Sequence, residues 1–186
     1  MSLVASLIQR RRHPLLRRAV QEALALYGVE VPAAVEIGTG LKVFHRGFGL
    51  VMHPWTTIGD DVTLYNGVTI GRADPWVPQQ RSLMERIVVE DGAVLCSGAK
   101  VLCKQGVLTV GRGTVVGANA VLTRSTGPWE IWAGAPARQV GVRTPALPAP
   151  QSPHDHQDAQ DRARSTLRAT SVARDGGSGR SSGPVT

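Results

Sequence analysis

Two histidines, His45 and His53, lie in a central stretch of this 186-residue chain that is rich in glycine and short aliphatic side chains. An imidazole titrates near neutrality, so a histidine can take the proton from a hydroxyl while that oxygen forms a new bond. A carboxylate bonded to the far ring nitrogen would hold the tautomer and stabilise the imidazolium. His13, His154 and His156 fall outside this central region and are set aside. A zinc centre would need three histidines at compatible positions, and the region holds two. Cys96 and Cys103 show neither metal-ligand spacing nor a disulfide framework, and read as structural thiols.

The elements that position these groups announce themselves by a beat of six. Ile58, Leu64 and Ile70 keep it, with Val62 and Val68 between them. It returns at Val89, Leu95 and Val101, and again at Val110, Val116 and Leu122. A period of six matches neither a helix stripe nor an alternating strand; it marks a hexapeptide-repeat β-solenoid with coils of about 18 residues. The scarcity of aromatic residues, 4% of the chain, suits a narrow interior filled by Val, Ile, Leu and Ala. The predicted fold is an all-β solenoid, a left-handed parallel β-helix, an architecture used mostly by enzymes that move acyl groups.

Around this core, residues 1–28 form a helical N-terminal segment. A short helix over 2–12 ends at His13-Pro14, and a second over 15–27 stops at Gly28. The β-helix domain runs over 29–143. Its beat slips between Ile70 and Val89, where 72–86 carries Asp74, Pro75, Trp76 and Pro78 and reads as an extruded loop. A second slip, between Val101 and Val110, predicts an outward bulge over 103–106. Residues 144–186, rich in Pro, Ser, Gly, Arg and Asp, have too few large apolar side chains to offset the entropy of ordering, and read as a disordered tail.

The net charge is +7, and the N-terminal cluster Arg10, Arg11, Arg12, Arg17 and Arg18 supplies much of it. No aromatic stacking residues and no nucleic-acid motif accompany these arginines, so they read as a solvated helix face. No run approaches the ~20 apolar residues of a membrane span, and nothing reads as a signal peptide, so the expected location is the cytoplasm.

The run GLKVFHRGFGLV over 40–51, continuing as HPWTTIGDDVTLYNGVTIG over 53–71, resembles the bacterial serine O-acetyltransferases. It is also similar to the related sugar O-acetyltransferases. VLCSGAKVL over 94–102, VGRGTVVGANAVLT over 110–123 and WAGAPARQVG over 132–141 extend the resemblance, which spans roughly 15–143. It implies an acetyl-CoA-dependent O-acetyltransferase, without metal, that forms a homotrimer. L-serine is the leading acceptor, giving O-acetylserine on the way to cysteine. The family's catalytic histidine falls on His45 and its supporting aspartate on Glu30, where the acid is one methylene longer. His53, which precedes a proline, is the rival base. Ser97, Gly98, Ala99, Gly117 and Ala118 become candidates to meet the pantetheine arm, because small residues permit close approach. Lys100 and Arg124 become candidates for the coenzyme's phosphates.

The chain also departs from that family. Phe44 replaces an aspartate that precedes the catalytic histidine, and 82–85 lacks a histidine that helps bind serine. Arg46, Arg72, Arg81 and Arg86 are candidates for a replacement carboxylate clamp. The departures favour, as the alternative acceptor, a sugar or secondary-metabolite hydroxyl. A non-catalytic hexapeptide scaffold is the remote alternative.

Overall fold

Inward-pointing aliphatics at a fixed interval can be buried only if successive turns of chain stack them, and the topology does this. The computed structural model describes residues 3–13 and 15–144; the expected disordered tail lies, beyond residue 144, outside them. Two helices, α1 (Leu3–Arg10) and α2 (Arg17–Ala25), precede fourteen strands.

The strands form three sheets that the chain visits in rotation. The first face holds β1 (Glu36–Ile37), β4 (Thr56–Ile58), β7 (Leu83–Val89) and β10 (Gln105–Val110). The second holds β2 (Lys42–Val43), β5 (Thr63–Leu64), β8 (Val94–Leu95) and β11 (Val115–Val116), then β13 (Glu130–Gly134) and β14 (Ala137–Val142). The third holds β3 (Val51–Met52), β6 (Thr69–Arg72), β9 (Lys100–Cys103) and β12 (Val121–Leu122). Every pairing is parallel except that of β13 with β14.

Register turns the six-residue beat into columns. Val43, Leu64, Leu95, Val116 and Trp132 stack on the second face, and Met52, Ile70, Val101 and Leu122 on the third. All are buried, with Val62, Val68, Ala93, Ala99, Thr114 and Ala120 filling the space between them. Burying one such Val, Leu or Ile contributes about 1.5–3 kcal/mol, and each coil adds a layer.

The two slips resolve differently from their sequence-based reading. β7 begins at Leu83, so the irregular stretch is 73–82 rather than 72–86. Its base is polar and closed: Ser82 Oγ donates to Asp74, and the Arg72 guanidinium lies 3.6 Å from Asp74 Oδ1. Residues 103–106 do not form a simple outward bulge. Cys103 is buried, its thiol facing the carbonyls of Gln105 and Gly106. β10 pairs along β7 from Gln105, and a register shift between Gly106 and Val107 leaves Glu85 of β7 without an opposite residue.

The ends of the coil are covered. At the C-terminal end the β13–β14 hairpin seats Trp132, whose Nε1–H donates to Glu130 at 2.8 Å. At the N-terminal end α1 buries Val4, Ala5 and Ile8. Here the solvated-face reading of the arginines fails in part. Arg11 is 2% exposed; its guanidinium donates to the carbonyls of Ile8 (2.7 Å), Pro32 (3.1 Å) and Val35. Arg12 adds bonds to Ala33 and Val35 at 2.8 and 3.3 Å. The first turn of the coil has carbonyls with no strand beyond it to satisfy them, and these arginines supply the donors. No described helix is long and apolar enough to cross a membrane.

Candidate active site

The turn between the second and third faces is built alike on successive levels. Phe44, Tyr65, Cys96 and Gly117 follow the second-face strands, and each amide donates to a carbonyl one coil on, at 2.7–3.0 Å. Gly49, Gly67, Gly98 and Asn119 then turn the chain with φ of 70°, 69°, 71° and 55°. On the lower levels one residue joins these two points: Asn66, Ser97 or Ala118. On the first level four do so, His45 through Phe48.

The longer turn cannot lie flat in the wall. His45, Arg46 and Gly47 take φ of 50°, 55° and 62°, three consecutive left-handed residues. That conformation costs about 1–2 kcal/mol for a residue with a Cβ. Such strain gathers at functional sites when surrounding packing enforces it. Gly47 is required: a Cβ there would stand 2.8 Å from Val43 Cγ1 and 3.5 Å from Val4 Cγ1 of α1. The result lifts the His45 side chain into solvent at the edge of an open cavity of about 630 Å³ shared with Lys42, Phe44 and Arg46. The Phe44 ring stacks on Tyr65 at 5.0 Å and 16°, and the His45 ring lies 5.8 Å from Tyr65. Neither His45 ring nitrogen has a hydrogen-bond partner among the described residues, so both are open to a ligand.

The expected pairing of Glu30 with His45 is not made within the chain. Glu30 stands on the third face, bridged to Val51, two residues past the corner and one coil earlier. Its side chain lines a different cavity, about 520 Å³, with Gln21 and Glu22 of α2. No hydrogen bond or ion pair joins the two among the described residues. His53 is held differently from His45. Its Nδ1 accepts the Trp55 amide N–H at 3.1 Å, and its ring meets Trp55 edge-on at 5.2 Å. Burial, with the Arg72 guanidinium adding to it, pulls its pKa below the ordinary 6.5. His45, by contrast, lines the 630 Å³ cavity.

The small residues proposed for the coenzyme separate by their hydrogen bonding. The amides of Gly98, Ala99 and Gly117 are committed to Asn66, Cys96 and Trp132. Those of Ser97 and Ala118 have no acceptor among the described residues. Both lie on the same corner as His45, two and three coils on, about 10 and 14 Å along the stack at the usual strand spacing. Lys100 reaches this corner, but its ammonium is bonded to the Gly67 carbonyl at 2.6 Å. Arg124 stands at the next corner, beside Lys104 in a hollow of about 100 Å³, and is not brought together with Ser97 and Ala118. Among the described residues no three His, Cys, Asp or Glu side chains converge as a metal would require.

No family model matches the chain. It is 36% identical over 139 residues to a serine acetyltransferase of Helicobacter pylori, covering 74% of this chain and 75% of that protein. It is 31% identical over 147 residues to a serine acetyltransferase of Mycobacterium tuberculosis, covering 79% of this chain and 59% of that protein. In fold it resembles the crystal structure of a serine acetyltransferase from Brucella abortus in complex with coenzyme A, with a TM-score of 0.62 at 22% identity. That likeness covers 76% of this chain and 56% of the other. The chain therefore spans three quarters of the Helicobacter relative and little more than half of the other two.

Proposed function

The chain belongs to the serine acetyltransferase family, and from that premise we propose that it transfers the acetyl group of acetyl-CoA to the hydroxyl of L-serine. The observation that carries this reading is the corner itself. An exposed imidazole tops a line along which the uncommitted amides of Ser97 and Ala118 offer donors to an extended, carbonyl-bearing arm. The coenzyme-bound Brucella structure shares the fold, which supports placing the same co-substrate here and reading the coil as a left-handed β-helix.

In the reaction, the serine hydroxyl oxygen bonds to the thioester carbonyl carbon while His45 takes the hydroxyl proton. Collapse of the tetrahedral species breaks the carbon–sulfur bond. The sulfur leaves with the electron pair and receives the proton from the imidazolium. The products are O-acetylserine and the free thiol of CoA. Glu30 is assigned the orienting role, which requires its carboxylate to reach the His45 ring nitrogen turned away from the cavity. The Gly98, Ala99 and Gly117 backbones shape the corner, and Lys100 braces it. Arg124, a face away, is assigned to the far, phosphate-bearing end of the coenzyme.

Leu83 and Val107 are exposed on β7 and β10, and Trp76 on the loop beside them, which fits coverage by further copies in a homotrimer. The free thiols of Cys96 and Cys103 fit a reducing, cytoplasmic setting. A second acceptor class, a sugar or other ring-bearing alcohol, is favoured by one observation: Phe44, backed by Tyr65, presents an aromatic platform beside His45. The test is thiol release from acetyl-CoA with L-serine and, separately, with sugar acceptors. Turnover with serine supports the first reading, turnover with sugars alone the second. No turnover and no coenzyme binding would sink both and leave a scaffold.

A further inference from the structure

Four arginines are candidates to hold an acceptor carboxylate, and the structure sorts them. Arg72 is pinned at the base of the loop, where Nη2 donates to the carbonyls of Asp74 (3.3 Å) and Val77 (2.8 Å). Arg86 is spent on the first face, where Nη1 donates to Glu36 Oε2 (3.2 Å) and Thr57 Oγ1 (2.8 Å). Arg81 lies in the short turn Gln79–Arg81 of the loop, outside the His45 cavity. Arg46 lines that cavity, follows His45 directly, and has no ion-pair or hydrogen-bond partner among the described residues. The other cation there, Lys42, already faces Asp61 at 3.6 Å.

Resting on the acetyl-transfer reading above, we propose that Arg46 binds the acceptor's carboxylate and so selects hydroxy acids for His45. In serine the hydroxyl and the carboxylate sit on neighbouring carbons, so whatever grips the carboxylate must stand next to the base that takes the hydroxyl proton. Arg46 meets that condition through the left-handed turn, which presents both residues at one cavity edge. A guanidinium offers two parallel N–H donors that match a carboxylate, a fit an ammonium cannot reproduce. The backbone also bears on the assignment. Arg46 holds φ 55° and ψ 14°, where glycine or asparagine would sit at less cost, so its side chain is kept at the expense of strain.

The experiment compares L-serine with L-serinamide, which keeps the hydroxyl and ammonium but lacks the carboxylate, in the full chain carrying Arg46→Asn or Arg46→Lys. Asparagine is chosen because it accepts the left-handed backbone, and a melting temperature no lower than wild type confirms the fold. For serine, Arg46→Asn should raise KM roughly 10- to 100-fold, the worth of hydrogen bonds to a charged group, with kcat within about threefold. Serinamide kcat/KM should not change with that substitution, and Arg46→Lys should fall between. Equal losses for both acceptors would mean Arg46 only shapes the turn, and no loss for either would mean another group takes the carboxylate; each overturns the assignment. A wild-type chain that releases no CoA with serine would instead defeat the acetyl-transfer reading on which it rests.

Discussion

Removing the buried guanidinium at the top of the coil should loosen both the fold and the candidate site. Arg11 makes three side-chain bonds to carbonyls of α1 and the first turn. At about 1.5–2 kcal/mol each, bonds from a charged donor sum to roughly 5 kcal/mol. Two opposing effects reduce this. Burial, with the neighbouring Arg12 guanidinium, lowers the Arg11 pKa to about 10, a cost on the order of 3 kcal/mol for holding the cation there. The carbonyls are also not left bare, since Pro32 keeps the Val35 amide at 3.1 Å and Val35 keeps Arg12 at 3.3 Å. The balance is about 2 kcal/mol. Arg11→Met, which keeps the apolar stem, should therefore lower Tm by about 5–10 °C for a domain of this size, measured by circular dichroism at matched chain concentration. Arg12→Met, at an exposed position, should cost under about 1 kcal/mol. Because Val4 of α1 backs Gly47 in the His45 turn, the Arg11 variant should also lose turnover before it unfolds. A variant as stable as wild type, or an Arg12 effect larger than the Arg11 effect, would refute the capping argument.

The other predictions concern the two histidines and the acid. Glu30→Gln should lower kcat by roughly 10- to 100-fold and alter the acid limb of the pH–rate profile if its carboxylate orients the His45 ring; an unchanged profile would leave His45 working without a carboxylate. His53 makes stability depend on pH. Its folded pKa lies below 6.5, so the unfolded chain binds the extra proton first, and stability falls as pH drops through and below that value. His53→Asn should remove this component from the Tm–pH curve, and a curve of unchanged slope would contradict it.

The columns were legible in the sequence because every coil repeats the same demand for a buried aliphatic, so one pattern is written many times over. His45 was legible for another reason, the resemblance carried by the run GLKVFHRGFGLV, while the long turn that raises it was not. Other features leave no such trace. Arg11 bonds to backbone carbonyls, which have no residue identity to read, so a buried cap looked like a solvated charge. Glu30 and His45 have a spacing compatible with one edge, but which side of a corner each side chain takes depends on the four-residue turn between Phe44 and Gly49. Likewise Ser97 and Ala118 separate from Gly98, Ala99 and Gly117 only once the inter-coil hydrogen bonds show which amides are committed. Arg124, a candidate for the coenzyme's phosphates by its charge, stands at another corner of the coil.

In the proposed reaction the imidazole raised by this strained turn takes the proton from the acceptor hydroxyl. His45→Asn, which tolerates the same left-handed backbone, tests it most directly, with thiol release from acetyl-CoA and L-serine measured beside His53→Asn. His45→Asn should lose about 10²–10⁴-fold in kcat with coenzyme binding intact, and His53→Asn should change little. Turnover that survives in the His45 variant and vanishes in the His53 variant would contradict it.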